Sequence, residues 1–321
     1  LAAVLSFAFC AGTPRLGWAA PTHLQMNDEF MGFNYGKQHG LPDDDIRDVL
    51  QARDGSLWIL TQQGIARFDG RKYTIFDRAN NPEFQNDDPR GLIEDRQGNL
   101  WVGGKNMLLR LAGNIWRSVG AAQSERIGSV FQMCADPELG IWVGGDSSVA
   151  HVTDRAVTVL GSEQGLNTGG RVMALQVDAK DGLLVGTLNG VYLLGKGSQE
   201  FTRVDPFPRS GTNLLVATAL GTVRSGSTWA LFAQRDAAKS ACLPFAGIML
   251  WQSPSWMTSS LPGATDFAIA DNANHFIAED KMGSIWITGP ENQVYRIKQG
   301  QVESLGIFFR PQPDVVTTVR E

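Results

Sequence analysis

A turn-and-strand segment with one large aromatic residue recurs along the chain and constrains the fold more than any other feature. Its clearest copy, at residues 95–104, reads Asp-Arg-Gln-Gly-Asn-Leu-Trp-Val-Gly-Gly. Each copy carries one large apolar residue, here called the anchor, and the anchors are Trp58, Trp101, Trp142, Leu184, Trp229 and Trp286. They follow one another at intervals of about 40 to 60 residues, and short strands with glycine turns at such a period are typical of a propeller or a solenoid.

Two further positions keep the same register as the anchors. The position nine residues earlier is always apolar, and the position six residues earlier is an aspartate in four copies: Asp95, Asp136, Asp178 and Asp280. We expect these aspartates to accept hydrogen bonds from the backbone amides of the turn that follows them. The anchors are expected to fill the wedge between neighbouring copies, because a strand buried on both faces carries a continuous apolar run.

The first complete copy shows what one repeat contains. Four short apolar stretches, at residues 46–52, 57–61, 65–68 and 71–76, are separated by tight Gly turns, a pattern that predicts a four-stranded antiparallel meander. The whole chain is therefore predicted to be all-β, a β-propeller of four-stranded antiparallel blades with six complete blades and an incomplete seventh. Residues 30–36 and 315–321 would supply the outermost and innermost strands of the seventh blade; a six-bladed ring closed on itself is the alternative. The fifth repeat is stretched by a predicted irregular insertion at residues 233–245.

The beginning of the chain differs in composition from the repeats. Residues 1–19 combine an apolar core with small residues, as in a truncated signal peptide, and a buried first strand or helix is the alternative. Residues 20–29 are predicted to be an exposed lead-in, and residues 30–321 the propeller sensor domain. Cys134 and Cys242 are expected to be buried free thiols, although an exported protein could also pair them.

Charge and motif content argue against several classes of protein. A net charge of −5 and a pI near 5.5 give no basic stripe for a nucleic-acid partner. The four histidines show no metal-binding spacing, and His39 and His275 are expected to be structural. Residues 43–45 are three adjacent aspartates, which we interpret as a solvated loop and not as a calcium site. No catalytic residue, no cofactor and no metal site is predicted.

Ligand binding is the better-supported prediction, because propellers bind at the axial mouth, on the loops that enter each innermost strand. Arg47 and Arg90 both stand eleven residues before an anchor, and Arg126 and Arg171 lie near the corresponding loops. These arginines suit an acidic sugar or a carboxylate, with ordinary surface charge as the alternative. Trp251 and Trp256 are candidates to stack on a sugar ring, or else they serve packing, whereas Trp116 is expected to pack at the surface. The expected ligand is a small molecule or an oligosaccharide.

Residues 40–70 carry the pattern Gly-Leu-Pro, Ile-x-x-Val, Asp-Gly-x-Leu-Trp-Ile and Gly-Ile-x-Arg-Phe-Asp-Gly. This pattern resembles the two-component-regulator propeller repeat; the resemblance extends over residues 30–321 and is most specific in the first two repeats. It implies the periplasmic sensor region of a membrane-bound protein whose output module is a histidine kinase or a diguanylate cyclase. Segments beyond this chain would supply the inner-membrane anchor, the output and a homodimer contact.

Two other functions remain open from the sequence. One is a propeller enzyme similar to streptogramin lyase, which needs a His/Glu site on the axis and for which His275 is the residue to test. The other is a scaffold for protein interactions.

Overall fold

The structure is a computed structural model, and it describes most of the chain between residues 24 and 307. The described ranges are 24–27, 30–32, 36–84, 88–119, 127–206, 213–222, 228–236, 241–258, 277–280, 282–288, 293–298 and 301–307. Within them the chain forms β-strands together with two short 3₁₀ helices, Lys37–His39 and Ser162–Gln164. None of the helices in these ranges is long and apolar enough to cross a membrane.

The strands group into one hairpin and six sheets. The hairpin pairs β1 (Leu24–Asn27) with β2 (Phe30–Gly32). The first sheet contains β3 (Ile46–Gln51), β4 (Leu57–Thr61), β5 (Gly64–Phe68) and β6 (Tyr73–Asp77), and the second β7 (Pro89–Glu94), β8 (Leu100–Gly104), β9 (Met107–Ala112) and β10 (Ile115–Ser118). The third contains β11 (Gln132–Ala135), β12 (Ile141–Gly144), β13 (Val149–Val152) and β14 (Val157–Leu160), and the fourth β15 (Val172–Asp178), β16 (Gly182–Thr187), β17 (Gly190–Gly195) and β18 (Phe201–Arg203). The fifth contains β19 (Asn213–Thr222), β20 (Thr228–Asp236), β21 (Ala241–Gln252) and β22 (Ser255–Thr258), and the sixth β23 (Ile277–Glu279), β24 (Ile285–Thr288), β25 (Gln293–Lys298) and β26 (Gln301–Ile307).

Each sheet is an antiparallel meander in which every strand pairs with the next one along the chain. The first strands of successive sheets contact one another, from β3 through β7, β11, β15 and β19 to β23. They therefore line the axis, and the fourth strands lie at the outside. This arrangement is a β-propeller with four-stranded blades, as the sequence predicts.

The anchor side chains pack between consecutive sheets. Trp58 of the first sheet lies in one buried cluster with Leu92 and Val102 of the second. Trp101 of the second sheet lies in a cluster with Val143 and neighbouring residues of the third. Leu184 packs in the same way against the fifth sheet. For these three anchors, the prediction that they fill the wedge between blades is confirmed.

The repeated aspartate binds both the turn and the anchor. Asp95 Oδ1 accepts hydrogen bonds from the amides of Gln97 and Asn99, at 2.9 and 2.8 Å, which confirms the predicted turn contact. Its Oδ2 accepts a hydrogen bond from Trp101 Nε1 at 2.8 Å. The third and sixth sheets repeat this indole bond, with Asp136 to Trp142 at 2.7 Å and Asp280 to Trp286 at 2.9 Å. The indole bond is a finding of the structure that the repeat pattern did not predict.

The fourth and fifth sheets lack a complete aspartate–tryptophan pair. The fourth has Asp178 with Leu184 as its anchor, so the Oδ2 atom of Asp178 accepts instead from Thr228 Oγ1 of the fifth sheet, at 2.9 Å. Both side chains are buried. Trp229 of the fifth sheet has no such aspartate, and its buried indole nitrogen has no hydrogen-bond partner among the described residues. The fourth and fifth repeats are thus connected by a hydrogen bond between blades.

Two segments differ from the sequence predictions. The insertion in the fifth repeat is a regular hairpin, because β20 and β21 continue as paired strands through residues 228–236 and 241–252 with bulges near Ala233. Residues 24–27 form a strand where an exposed lead-in was expected. That strand pairs with Phe30–Gly32, which joins none of the six sheets. Residues 1–19 and 315–321 lie outside the described residues, so the leader and the seventh blade stay predictions.

Trp116 and Cys134 show how deeply the wedges are buried. The side chain of Trp116 is 1% exposed and meets the ring of Trp58 edge-on at 6.1 Å, so the expectation of surface packing is wrong. The strand that carries Trp116 is outermost, but its inward face covers the wedge between the first two sheets.

Cys134 is a buried free thiol, as predicted, and burial raises its pKa to about 12. The side chain of Cys242 lies outside the described part of the structure.

Candidate ligand-binding site at the axial mouth

Three arginines and a phenylalanine gather where four neighbouring innermost strands begin. Arg47 lies on β3 and Arg90 on β7, while Phe131 and Arg171 directly precede β11 and β15. These strands are neighbours in the ring, and all four residues lie at the end of the blade where the chain enters from the previous blade. We call this end of the ring the mouth. The structure thus brings together three of the four predicted arginines; Arg126 lies outside the described residues.

Phe131 is the centre of this group. The guanidinium carbon of Arg90 lies 4.6 Å from the centre of the Phe131 ring, and that of Arg171 lies 4.2 Å from it. Cations at such distances are attracted by the negative face of an aromatic ring, typically by about 0.5–2 kcal/mol each. Phe131 stands eleven residues before its anchor, the position that Arg47 and Arg90 occupy in their own repeats. The position of Phe131 within its repeat could have identified this residue from the sequence. Charge alone did not indicate it, because Phe131 is not a charged residue.

The three arginines differ in their partners. Arg47 donates to Asp45 at 2.8 Å and to Gln62 at 2.5 Å. Arg90 donates through Nε and Nη2 to the carboxylate of Asp88, at 3.1 and 2.9 Å. The guanidinium of Arg171 has neither a hydrogen bond nor an ion pair within the described ranges, and its Nε is buried without an acceptor. Arg47 Nε is also buried without an acceptor, but Arg171 is the arginine of this group whose guanidinium donates to none of the described residues.

Electrostatics at Arg171 disfavour its charged form. Burial lowers the pKa of the Arg171 guanidinium, and the positive charge of Arg90 lowers it further, whereas Asp146 acts in the opposite direction. An arginine remains protonated in spite of such shifts, because its pKa starts above 12. The physical consequence is a pair of like charges that both contact one aromatic ring, and an anion bound near them would relieve their repulsion.

Asp88 contacts two of the arginines, and its own backbone has an unusual conformation. Its carboxylate contacts Arg90 at 2.9 Å and Arg47 at 3.7 Å. Its φ angle is +41°, in the left-handed region that residues other than glycine seldom adopt. Asn106, in the turn between β8 and β9 at the same end of the blade, also has a positive φ of +54°. Aspartate and asparagine are the residues that tolerate this region best after glycine.

A polar groove adjoins the arginines. It has a volume of about 670 Å³, and its lining consists of Ser147, Ser148, Val159 and residues 161–170, which include the second 3₁₀ helix. The hydroxyl of Thr168 donates to the backbone oxygen of Asp146 at 2.8 Å, which joins the two loops that form the groove. Gly170 lines the groove and Arg171 follows it directly, so hydroxyl and backbone groups continue the surface that begins at Phe131 and Arg171.

The two tryptophans predicted as candidates for stacking on a sugar are buried between sheets. Trp251 and Trp256 are 2% and 9% exposed, and their rings meet each other at 5.1 Å in the wedge between the fourth and fifth sheets. The indole of Trp251 donates to Asp181 at 2.8 Å, and that of Trp256 donates to the backbone oxygen of Val204 at 2.6 Å. Neither ring offers a free face, so the expectation that they stack on a sugar is corrected to packing between blades.

The remaining polar candidates have local partners. His39 accepts a hydrogen bond from the amide of Gly36 through Nδ1 at 3.1 Å and thereby closes the first 3₁₀ turn. The three adjacent aspartates bind separate groups: Asp43 accepts from the next two amides and pairs with Lys37, while Asp44 accepts from the Lys37 amide. His275 lies outside the described residues, so the enzymatic alternative that rests on it stays a prediction.

Fold and site together define a β-propeller with a charged axial mouth. Two of its repeats match the family model of the two component regulator propeller, at residues 40–63 and 83–106. These matches coincide with the first two anchors and the turns around them, which confirms the resemblance on the residues where it is most specific. A search of the curated proteins finds no match.

Two solved structures with TM-scores above 0.5 support the fold. YCF48 bound to D1 peptide is 13% identical, with a TM-score of 0.54 over 81% of this chain and 80% of that one. PorZ of Porphyromonas gingivalis, a surface component of the type-IX secretion system, is 15% identical, with a TM-score of 0.52 over 78% of this chain and 38% of that one. The extracellular domain of BT4673 from B. thetaiotaomicron, described as a candidate hybrid two-component system, is 19% identical, with a TM-score of 0.46 over 79% of this chain. This chain spans only 40% of that domain's length.

Proposed function

We propose that this chain is the ligand-sensing propeller of an exported, membrane-bound signal-transduction protein, and that the ligand binds at the mouth. The propeller itself performs no catalysis in this proposal. The remainder of the protein supplies an inner-membrane anchor, a homodimer contact and an output module, with a histidine kinase as the first candidate and a diguanylate cyclase as the second.

The observation that carries the proposal is the location of the arginine group in a propeller of this repeat type. The anchors and their aspartates are used for packing, and they recur around the ring. The group of Arg90, Phe131 and Arg171 does not recur within the described part of the chain, and it lies at the axial end, where propellers place their ligands. A polar groove beside the group gives a ligand additional surface.

The test uses the full-length protein in its own cell. Cells are exposed in turn to neutral oligosaccharides, acidic oligosaccharides and small carboxylic acids, and transcripts are compared with those of a strain that lacks the protein. Short peptides are included because the YCF48 propeller is bound to a peptide. We expect at least one class to change transcription only when the protein is present, and Phe131→Ala to abolish that change.

Arg155→Gln is the matched control, since Arg155 is an exposed arginine in the turn between β13 and β14, at the opposite end of the blade. It should respond like the wild type. A response that is identical with and without the protein, or one that survives Phe131→Ala, would refute a sensor role for the mouth.

Export is tested separately. The full-length protein's own N-terminal part through residue 321, with its complete leader, joined to alkaline phosphatase, which is active only outside the cytoplasm, should give active enzyme. The same residues joined to a cytoplasmic reporter should give little activity, and the reverse pattern would contradict periplasmic location.

A further inference from the structure

The mouth contains one arginine whose donors are unused and a second arginine that already shows how a carboxylate binds there. Arg90 directs Nε and Nη2 at one carboxylate oxygen of Asp88, at 3.1 and 2.9 Å. Arg171 lies against the same phenyl ring as Arg90 and has no acidic partner within hydrogen-bond distance among the described residues. The site therefore provides more guanidinium donors than its own carboxylates use.

We propose that the ligand sensed by this propeller carries a carboxylate that binds Arg171 and is shared with Arg90, above the ring of Phe131. This inference rests on the proposed sensor function and specifies the class of ligand. Guanidinium groups bind carboxylates through two parallel hydrogen bonds, and an ammonium group lacks that planar geometry. Phe131 holds both guanidinium planes in place, so that less conformational freedom is lost when the ligand binds.

The neighbouring groove indicates what the rest of the ligand looks like. Its lining includes the hydroxyls of Ser147 and Ser162, the carboxylate of Glu163 and the backbone of a glycine-rich loop, at residues 161–170. These groups form hydrogen bonds with hydroxyls, and the groove contributes no aromatic platform of its own. A hydroxylated carboxylic acid, whether a free acid or the end of an acidic saccharide, matches both parts of this surface.

The test measures binding of three probes to residues 1–321 by titration calorimetry at constant ionic strength. The probes are galacturonate, galactose as its neutral counterpart, and citrate as a hydroxylated carboxylate without a sugar ring. Wild-type protein should bind galacturonate or citrate at least about tenfold more tightly than galactose, since each 1.4 kcal/mol is a factor of ten in affinity. A preference for galacturonate over citrate would identify a saccharide as the source of the carboxylate, and the opposite preference a free acid.

Two variants at one position separate binding from folding. Arg171→Gln should reduce the affinity for the carboxylate probe at least about tenfold, and Arg171→Lys should also weaken it although it keeps the charge, because the planar fork is lost. Thermal melts of both variants should resemble those of the wild type, and Arg155→Gln should bind like the wild type. The inference is overturned if galactose binds as well as both acids, if neither acid binds, or if both Arg171 variants bind like the wild type. The sensor proposal is tested separately. It fails if the transcript response in the cell is the same with and without the protein.

Discussion

The carboxylate of Asp95 binds the indole nitrogen of Trp101 at 2.8 Å, and the same carboxylate holds the turn that leads to this tryptophan. Both side chains are fully or almost fully buried. A single residue thus determines the shape of the turn and the orientation of the side chain that fills the wedge. The pairs of Asp136 with Trp142 and Asp280 with Trp286 repeat the arrangement.

Asp95→Asn should lower the free energy of unfolding by about 2–3 kcal/mol, because a hydrogen bond to a buried charged group contributes about 1.5–3 kcal/mol. Urea denaturation followed by tryptophan fluorescence measures it. Asp69→Asn is the control: Asp69 also accepts two turn amides, from Arg71 and Lys72, but it is exposed and binds no indole. Equal losses in the two variants would show that the indole bond contributes nothing.

Trp101→Phe and Trp116→Phe form a second matched pair. Both tryptophans are buried, but the indole nitrogen of Trp116 has no acceptor among the described residues, whereas that of Trp101 donates to Asp95. Phenylalanine removes a similar volume in each case. We therefore expect Trp101→Phe to be more destabilising by about 1–2 kcal/mol, since it alone breaks a hydrogen bond to a charged group. Thermal unfolding of both variants measures the difference, and a larger loss for Trp116→Phe would contradict it.

Asp280 should make stability depend on acid pH. Burial acts to raise the pKa of Asp280, but hydrogen bonds from the Trp286 indole and from the Ser284 and Met282 amides outweigh it, so the pKa lies below its ordinary value of 3.8. A lowered pKa in the folded state stabilises the protein above the unfolded value, and this contribution is lost as the pH falls through the folded value.

The wild type should therefore be more stable than Asp280→Asn at pH 7, by about 1–3 kcal/mol. The difference should shrink below about pH 4 as the carboxylate takes up a proton. Urea denaturation from pH 7 to pH 2 measures it. Glu138→Gln, an exposed carboxylate in the corresponding turn of the third sheet, should show no such trend. A difference between wild type and Asp280→Asn that is independent of pH would exclude this role for the carboxylate.

Asp88→Asn should increase the affinity of the mouth for citrate or galacturonate several-fold. Asp88 competes for Arg90 with any incoming carboxylate, and asparagine removes the competing charge while tolerating the positive φ at this position. Titration calorimetry under the conditions used for Arg171→Gln measures the change. A weaker affinity in Asp88→Asn would mean that Asp88 positions Arg90 for the ligand.

The fold was predictable from the sequence because each blade repeats the same short sequence pattern. The anchor, the aspartate six residues earlier and the Gly turns together specify one four-stranded meander. That meander packs against the next copy along the chain. Trp116 was not predicted because its burial depends on how a neighbouring sheet covers an outermost strand. The strand itself gave no clear signal, because the apolar Ile115 beside Trp116 is exposed and the alternation of burial is visible only in the structure.

The site was predictable only in part. Their position in the repeat predicted that Arg47 and Arg90 lie near the start of innermost strands, where the structure has them, but it did not reveal which arginine lacks an acidic partner. That property of Arg171 depends on contacts between three loops that are distant in sequence. Trp251 and Trp256 were misassigned for a related reason, because an aromatic pair beside an insertion looks the same in sequence whether it faces solvent or a neighbouring sheet.

The hydrogen bond from Thr228 to Asp178 has a consequence for assembly of the ring. Sheets with similar faces can stack in the wrong order, or exchange between two copies of a chain, with little loss of apolar contact. If a sheet other than the fifth packed against the fourth, the Oδ2 atom of Asp178 would be buried without the Thr228 donor, a loss of about 1–3 kcal/mol. The two most degenerate repeats therefore recognise each other as neighbours, and this disfavours misordered rings.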